Sequence, residues 1–305
     1  YTNAESSAAS DVYKRQLLII MRGTGQTPWM LRPCWPFSSS DLVCSSSFPS
    51  IGIIEPNNKD VARFGLIGKH IDYSFSRSYF REKFSLAKLG HTYENFDLPN
   101  DRSVETFLEN LDGISGLNVT IPYKQVVMSL LDEIDPVANR IGAVNTIAID
   151  QRGRTKGFNT DHIGFFKALE EYLPLAQPKA LVLGSGGASK AVVYALEQMK
   201  IPALVVSRGM EVDITYRELD VGFLASHSLL VNCTPLGTSP DINRYPDIPY
   251  ELLSKDHLLF DLVYNPSVTR FMELGKEQGA RVCNGYRMLV EQAEAAWNIW
   301  SQYRE

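Results

Sequence analysis

Lys124 closes the segment GLNVTIPYK, which runs from Gly116 to Lys124. The segment opens like a buried strand and ends on a turn that presents Thr120 and the lysine. A lysine in that place is either a solvated surface charge or a group set to give and take a proton. Positioned acid–base chemistry of that kind is typically worth ~10² to 10⁴ in rate. The segment by itself leaves both readings open.

A second chemical signature is GSGGAS, residues 184–189, between an apolar run and a helical pattern. Gly184 allows a tight turn, and Gly186 lets the backbone come close to a pyrophosphate. The helix that follows offers its free N–H groups to phosphate charge. The same residues could form a plain strand–helix connection, but their place directly after KALVLG (179–184) favours a dinucleotide. The end of the next apolar run bears on which one. An NAD site usually carries an acid there for the ribose hydroxyls, whereas NADP needs a cation for its 2′-phosphate. Here the run ends in Ser207–Arg208–Gly209, with no acid before Glu211. Arg208 can pair a phosphate and also lie against an adenine face. NADP is therefore the expected cofactor; the plainer reading of Arg208 is an exposed loop residue.

These groups need elements to hold them. RFGLIG (63–68) reads as a strand ended by Gly68, and residues 79–89 carry Phe80, Phe84 and Ala87 at helical spacing. SVETFLENL (103–111) offers Ser103 as N-cap to a helix with Val104, Phe107, Leu108 and Leu111 on one face. LNVTI (117–121) and AVNTIAI (143–149) read as strands flanking a helix over 124–131, a βαβ unit that implies a mostly parallel sheet. A second series follows Pro178: KALVLG, a helix carrying Val192, Leu196 and Met199, then ALVVSR (203–208), LLVNCT (229–234) and LLFDLVY (258–264). A helix over 267–278, the strand ARVC (280–283) and a long helical pattern from Gly285 to about Tyr303 complete the chain. The expectation is two α/β units in series with a cleft between them.

Bulk properties narrow the function. The chain has 305 residues, 44% of them hydrophobic and 21% charged, which suffices for two domains with a core each. A formal charge of −5 argues against a general nucleic-acid or anionic-membrane binder. The apolar run Leu17 to Met21 is far too short to span a bilayer. Cys34, Cys44, Cys233 and Cys283 match neither a zinc site nor a disulfide framework, so a reducing cytoplasm is expected. Residues 1–60 differ from the rest. They hold serine clusters without periodicity, and YTNAESSAASDVYKRQ resembles a translated sequencing adapter. They are read as a non-native or disordered leader, with the fold starting near Val61.

From about Phe64 to Trp300 the sequence resembles the shikimate dehydrogenase family. The motifs that carry the resemblance stand in family order: SFS (74–76), NVTIPYK (118–124), GAVNT (142–146), NTD (159–161), GSGGAS (184–189), NCTPLG (232–237) and NG-x-x-MLVEQA (284–293). The resemblance implies a small-molecule substrate, shikimate or 3-dehydroshikimate, and an NADP-dependent oxidoreductase acting on it. It implies an α/β substrate-binding domain over 61–161 and 285–305, a Rossmann-like NADP domain over 162–284, and closure by the C-terminal helix. Lys124 becomes the principal proton donor and acceptor, with Asp161 orienting it and binding a ring hydroxyl. Ser74 and Ser76, read as alternating on one extended face, become the carboxylate hydroxyls. Thr120, Asn145 and Gln292 take ring hydroxyls, and Tyr264 stands near substrate and nicotinamide. On the cofactor side the resemblance implies Gly184, Ser185, Gly186, Gly187 and Ala188 at the phosphates and Ser207 and Arg208 at the adenosine. It places Asn232 and Thr234 along the nicotinamide half and Gly285 at a close approach to it.

Several residues depart from the family. Lys69, His70 and Arg77 stand where it often has Asn, Pro and Pro, and His162 replaces the usual glycine after NTD. The helix after Arg208 is missing or much shortened, leaving fewer cations near a 2′-phosphate. No carboxylate–histidine cluster accompanies His70 or His162, so no metal is expected. The oligomeric expectation is a monomer or homodimer. The competing functions are an NAD-dependent quinate/shikimate dehydrogenase, a non-catalytic sensor of shikimate-like acids, and a folate-linked dehydrogenase of similar two-domain plan.

Overall fold

The structure, a computed structural model, describes residues 61–72, 74–173, 178–209 and 212–304. The leader expected over residues 1–60 lies outside them. Six strands form the first sheet: β1 (Arg63–Gly68), β2 (Thr92–Asp97), β3 (Ile114–Val119), β4 (Glu133–Ile134), β5 (Thr146–Ile149) and β6 (Thr155–Phe158), in the order β2-β1-β3-β5-β6-β4. Two helices follow its first two strands. α1 (Phe75–Leu86) buries Tyr79, Phe80 and Phe84. It starts ahead of the visible helical spacing because the Ser74 side chain accepts the Arg77 N–H at the first turn. Ser74 and Ser76 are therefore not on an extended face: Ser74 is the N-cap, and Ser76 lies within the helix. α2 (Asp101–Leu108) is capped by Asn100 rather than Ser103, whose own N–H donates to the Asn100 side chain at 3.0 Å.

The expected βαβ unit across 117–149 is also corrected. β1 is parallel to β2 and β3, and β4 to β6, but β3–β5 and β5–β6 are antiparallel. The connections explain this. The helix expected over 124–131 is a short 3₁₀ segment, Val126–Leu130, and α3 (Pro136–Ile141) has six residues. Six helical residues carry the chain about 9 Å, too little to recross the sheet. β5 therefore starts near the end of β4 and runs back.

α4 (Asp161–Glu170) leads to the second sheet: β7 (Ala180–Leu183), β8 (Ala203–Ser207), β9 (Ile214–Thr215), β10 (Leu229–Asn232), β11 (Leu258–Asp261) and β12 (Arg281–Cys283), in the order β12-β11-β10-β7-β8-β9. All five pairings are parallel, and β7, β10 and β11 are buried along their whole length. That double burial is why they read as continuous apolar runs. α5 (Gly187–Gln198), α6 (Val221–Ser226) and α7 (Arg270–Glu277) flank the sheet. The chain leaves β7 for β8 and β9, then returns to β10 on the other side of β7. The crevice beyond the carboxyl ends of β7 and β10 is thus a topological switch point, where open α/β sheets bind ligands.

α8 (Tyr286–Arg304) returns to the first sheet. Trp300 is fully buried, its Nε1 donates to the Ile147 carbonyl at 3.0 Å, and its ring stacks on Phe64 with centroids 4.8 Å apart. A Cβ on Gly116 would stand 2.4 Å from the Trp300 ring, so only glycine admits the tryptophan there. Among the described residues no helix is long and apolar enough to cross a membrane, and no group of three His, Cys, Asp or Glu could hold a metal.

Candidate active site

Lys124 follows the turn after β3, where its carbonyl accepts the Val144 N–H at 2.7 Å. That bond ties the turn to the chain entering β5. Its Nζ donates to Asp161 Oδ2 at 2.6 Å, and the two side chains are 16% and 9% exposed. Asp161 is the first residue of α4, where the unpaired N–H groups and the helix dipole favour a carboxylate. The ion pair is nearly sequestered, with the lysine the more exposed of the two. An ammonium has three donors, so holding Asp161 leaves the lysine able to serve another oxygen.

Asn145 connects this pair to the rest of the polar floor. Its Nδ2 donates to Asp161 Oδ1 at 2.8 Å, to Thr160 Oγ1 at 3.0 Å and to Gln292 Oε1 at 3.4 Å. Its Oδ1 accepts the Thr160 N–H at 2.6 Å. Gln292, on α8, donates to the Leu289 carbonyl at 3.0 Å, which leaves its oxygen facing Asn145. Residues from the β3 turn, β5, α4 and α8 thus meet in one network.

The serine end of the site joins the same network by another route. Ser76 hydrogen-bonds the hydroxyl of Tyr93, which donates to Asn118 Oδ1 at 2.7 Å. Asn118 Nδ2 in turn donates to the Asn145 carbonyl and to Thr146 Oγ1, each at 3.3 Å. Burial pushes the Tyr93 hydroxyl well above its usual range, against the Ser76 bond, so it stays a neutral donor. Thr120 sits half-buried over Gly68, with its N–H on the Ile67 carbonyl at 2.9 Å. Tyr264, beyond β11, accepts the Phe75 N–H and meets the Phe75 ring edge-on at 5.9 Å, linking the second sheet to the start of α1. Burial raises its pKa as well.

The glycine-rich turn lies at the switch point. Gly184 has φ 110°, a left-handed conformation that a side chain strains. Gly186 caps α5 and faces open space, while a Cβ on Gly187 would stand 3.8 Å from Lys124 Cβ and Cδ. The phosphate-type turn and the proton-transfer candidate are therefore direct neighbours. Ser185 and Ser207 hydroxyls are 3.1 Å apart, joining the turn to the end of β8. Arg208 is exposed just beyond, close enough to Tyr216 to pull its pKa down, although burial prevails and pushes it up to about 12. A groove of about 430 Å³ opens beside Ser185, Ser189, Lys190 and Val205. Asn232 is fully buried and its Oδ1 accepts both the N–H and the hydroxyl of Thr234, at 3.0 and 2.6 Å. Gly285 makes its close approach to protein: a Cβ there would stand 2.1 Å from the Leu262 carbonyl oxygen.

Tyr93, Asn118 and Thr160 carry much of this network without having been singled out. Asn118 and Thr160 stand inside NVTIPYK and NTD, and their motif membership was the available signal. Tyr93 had none, since its strand TYENFD shows no apolar run. The second histidine of interest, His162, packs edge-on to Tyr194 at 5.2 Å, its pKa lowered by burial.

The family described as shikimate dehydrogenase substrate binding domain matches residues 66–147. A shikimate dehydrogenase (NADP(+)) of Clostridium botulinum strain Hall is 36% identical over 248 residues, covering 77% of this chain and 95% of its own. The shikimate 5-dehydrogenase of Thermus thermophilus, solved with NADP(H) and shikimate, superposes with TM-score 0.72 at 32% identity, over 79% of this chain and 94% of that one. A quinate dehydrogenase from Corynebacterium glutamicum, solved with NAD, also gives 0.72, at 29% identity over 80% and 94% of the two chains.

Proposed function

Because the chain belongs to the shikimate dehydrogenase family, we propose that it reduces 3-dehydroshikimate reversibly to shikimate with NADPH, using Lys124 and Asp161 for the proton. The observation that carries this is the 2.6 Å Lys124–Asp161 pair lying against Gly187 of the nucleotide turn. Bound NADPH supplies the hydride, and the chain supplies everything else. Gly184, Ser185, Gly186, Gly187 and Ala188 with the α5 N-terminus suit the pyrophosphate. Ser207 and Arg208 suit the 2′-phosphate end, and Asn232, Thr234 and Gly285 the nicotinamide half.

In the reducing direction the Lys124 ammonium gives its proton to the carbonyl oxygen as that oxygen gains charge, and takes one back in oxidation. Asp161 holds the ammonium in place and accepts from a ring hydroxyl. Ser74 and Ser76 hold the substrate carboxylate, with Tyr264 beside them, and Thr120, Asn145 and Gln292 read the ring hydroxyls. A site so lined discriminates against analogues that lack a hydroxyl, because its buried partners would be left unpaired. On this reading residues 61–161 and 285–305 form the substrate domain and 162–284 the cofactor domain. A cytoplasmic location and a monomeric or homodimeric state belong to the same reading.

The test is an activity matrix of shikimate and quinate against NADP⁺ and NAD⁺. The expected result is the highest kcat/KM for shikimate with NADP⁺. A preference for quinate with NAD⁺ would contradict the specificity, and binding without turnover would favour a sensor.

A further inference from the structure

Asp261 ends β11 fully buried and has no part in the scheme above. All its partners are donors. Oδ1 accepts from Asn232 Nδ2 at 2.9 Å and from the Val263 N–H at 3.0 Å, and Oδ2 accepts from Thr269 Oγ1 at 2.5 Å. An ionised carboxylate can only accept. Asn232 must therefore turn its NH₂ toward Asp261 and its oxygen the other way, where it takes the Thr234 N–H and hydroxyl. With its proton committed to Asn232, the Thr234 oxygen is free to accept the Leu236 N–H at 3.3 Å. Thr234 also backs the glycine turn: a Cβ on Gly184 would stand 3.2 Å from its Cγ2. One carboxylate thus sets the donor direction of a chain that runs to both lips of the switch-point crevice.

We propose that Asp261 is a positioning residue for the cofactor: its carboxylate fixes the orientation of Asn232 and, through it, the Thr234 loop along the nicotinamide half. The inference rests on the assignment of Asn232 and Thr234 to that half. Burial raises Asp261 to about 6 despite its three hydrogen bonds. The groups facing it do not share that range. Cys233 from the end of β10 and Tyr250 are pushed far upward, and Cys283 of β12 is pushed up to about 12, all chiefly by burial. At the start of α7, Arg270 is paired with Glu273 at 3.0 Å on the surface. Protonating Asp261 leaves this chain in place, because the Thr269 hydroxyl can turn to accept the new hydrogen while Oδ1 keeps Asn232 and Val263.

The experiment compares wild type, Asp261→Leu, Asp261→Asn and Thr234→Ala in steady-state kinetics. In Asp261→Leu no acceptor faces Asn232, whereas the amide of Asp261→Asn can still turn its oxygen to Asn232 and Val263 and its NH₂ to the Thr269 hydroxyl. Asp261→Leu should raise KM for NADP⁺ about tenfold, the scale of one or two lost oriented hydrogen bonds, and leave KM for shikimate within about twofold. Asp261→Asn should restore KM for NADP⁺ to within about twofold of wild type. Removing a negative charge would by itself help an anionic cofactor, so a rise reports geometry. An unchanged KM for NADP⁺ in folded Asp261→Leu overturns the inference. If that variant does not fold, an unchanged KM for NADP⁺ in Asn232→Ala overturns it. An unchanged KM for NADP⁺ in Thr234→Ala overturns instead the assignment of the loop to the cofactor.

Discussion

Gly187 lies against Lys124, with room for a Cβ at 3.8 Å from the lysine side chain and for little more. The contact joins the turn that suits a cofactor phosphate to the group that suits proton transfer. Gly187→Ala should fold and turn over nearly normally, since 3.8 Å is ordinary contact. Gly187→Leu should push Lys124 away and lower kcat at least about tenfold, the scale expected when a catalytic group is displaced by about an ångström. Parallel kcat and Tm measurements check this, and equal kcat in the two variants would contradict it.

Asn145 is the shared donor of the polar floor. Asn145→Ala removes the partner of Asp161 Oδ1 and leaves the buried Thr160 N–H without an acceptor. The expected loss of stability is roughly 1–3 kcal/mol, read from urea denaturation, together with a fall in kcat/KM for shikimate.

Trp300 tests the packing of the C-terminal helix. Gly116→Ala drives a methyl into the Trp300 ring, which is already stacked on Phe64 of the neighbouring strand. Overpacking of this kind costs roughly 1–3 kcal/mol, which a lowered urea midpoint would show. Activity per folded molecule should change little.

Two buried groups oppose each other in the stability–pH curve. His162 has its pKa lowered by burial, so between that value and 6.5 the unfolded chain binds more protons, and stability falls as pH falls. Asp261 is raised from 3.8 to about 6, so in that interval the folded chain binds more protons, and its contribution grows as pH falls. Relative to wild type, His162→Phe should lose less stability on acidification from neutrality. Asp261→Asn should lose more. Denaturation midpoints across this range read both differences.

Much of the second sheet was legible because strands buried on both faces leave unbroken apolar runs, as in ALVL and LLFD. Edge strands do not: TYENFD alternates little, and β2 went unread. Ser74 and Ser76 looked extended because the first turn of α1 holds too few apolar residues to show a helical period. The antiparallel return of β5 depended on the shortness of α3, a length that periodicity alone resolves poorly. The meeting of Lys124, Asp161, Asn145 and Gln292 was legible only through the family motifs. No local pattern relates positions on four separate elements, whereas the hydrogen bonds of Asn145 do so directly.

Turnover of Lys124→Ala tests the central claim most directly. With shikimate and NADP⁺ saturating, kcat should fall by ~10² to 10⁴, the usual worth of a positioned acid–base. Shikimate affinity should fall far less, because the other hydroxyl partners remain. A Lys124→Ala enzyme with wild-type kcat would contradict the assignment of the proton to this lysine.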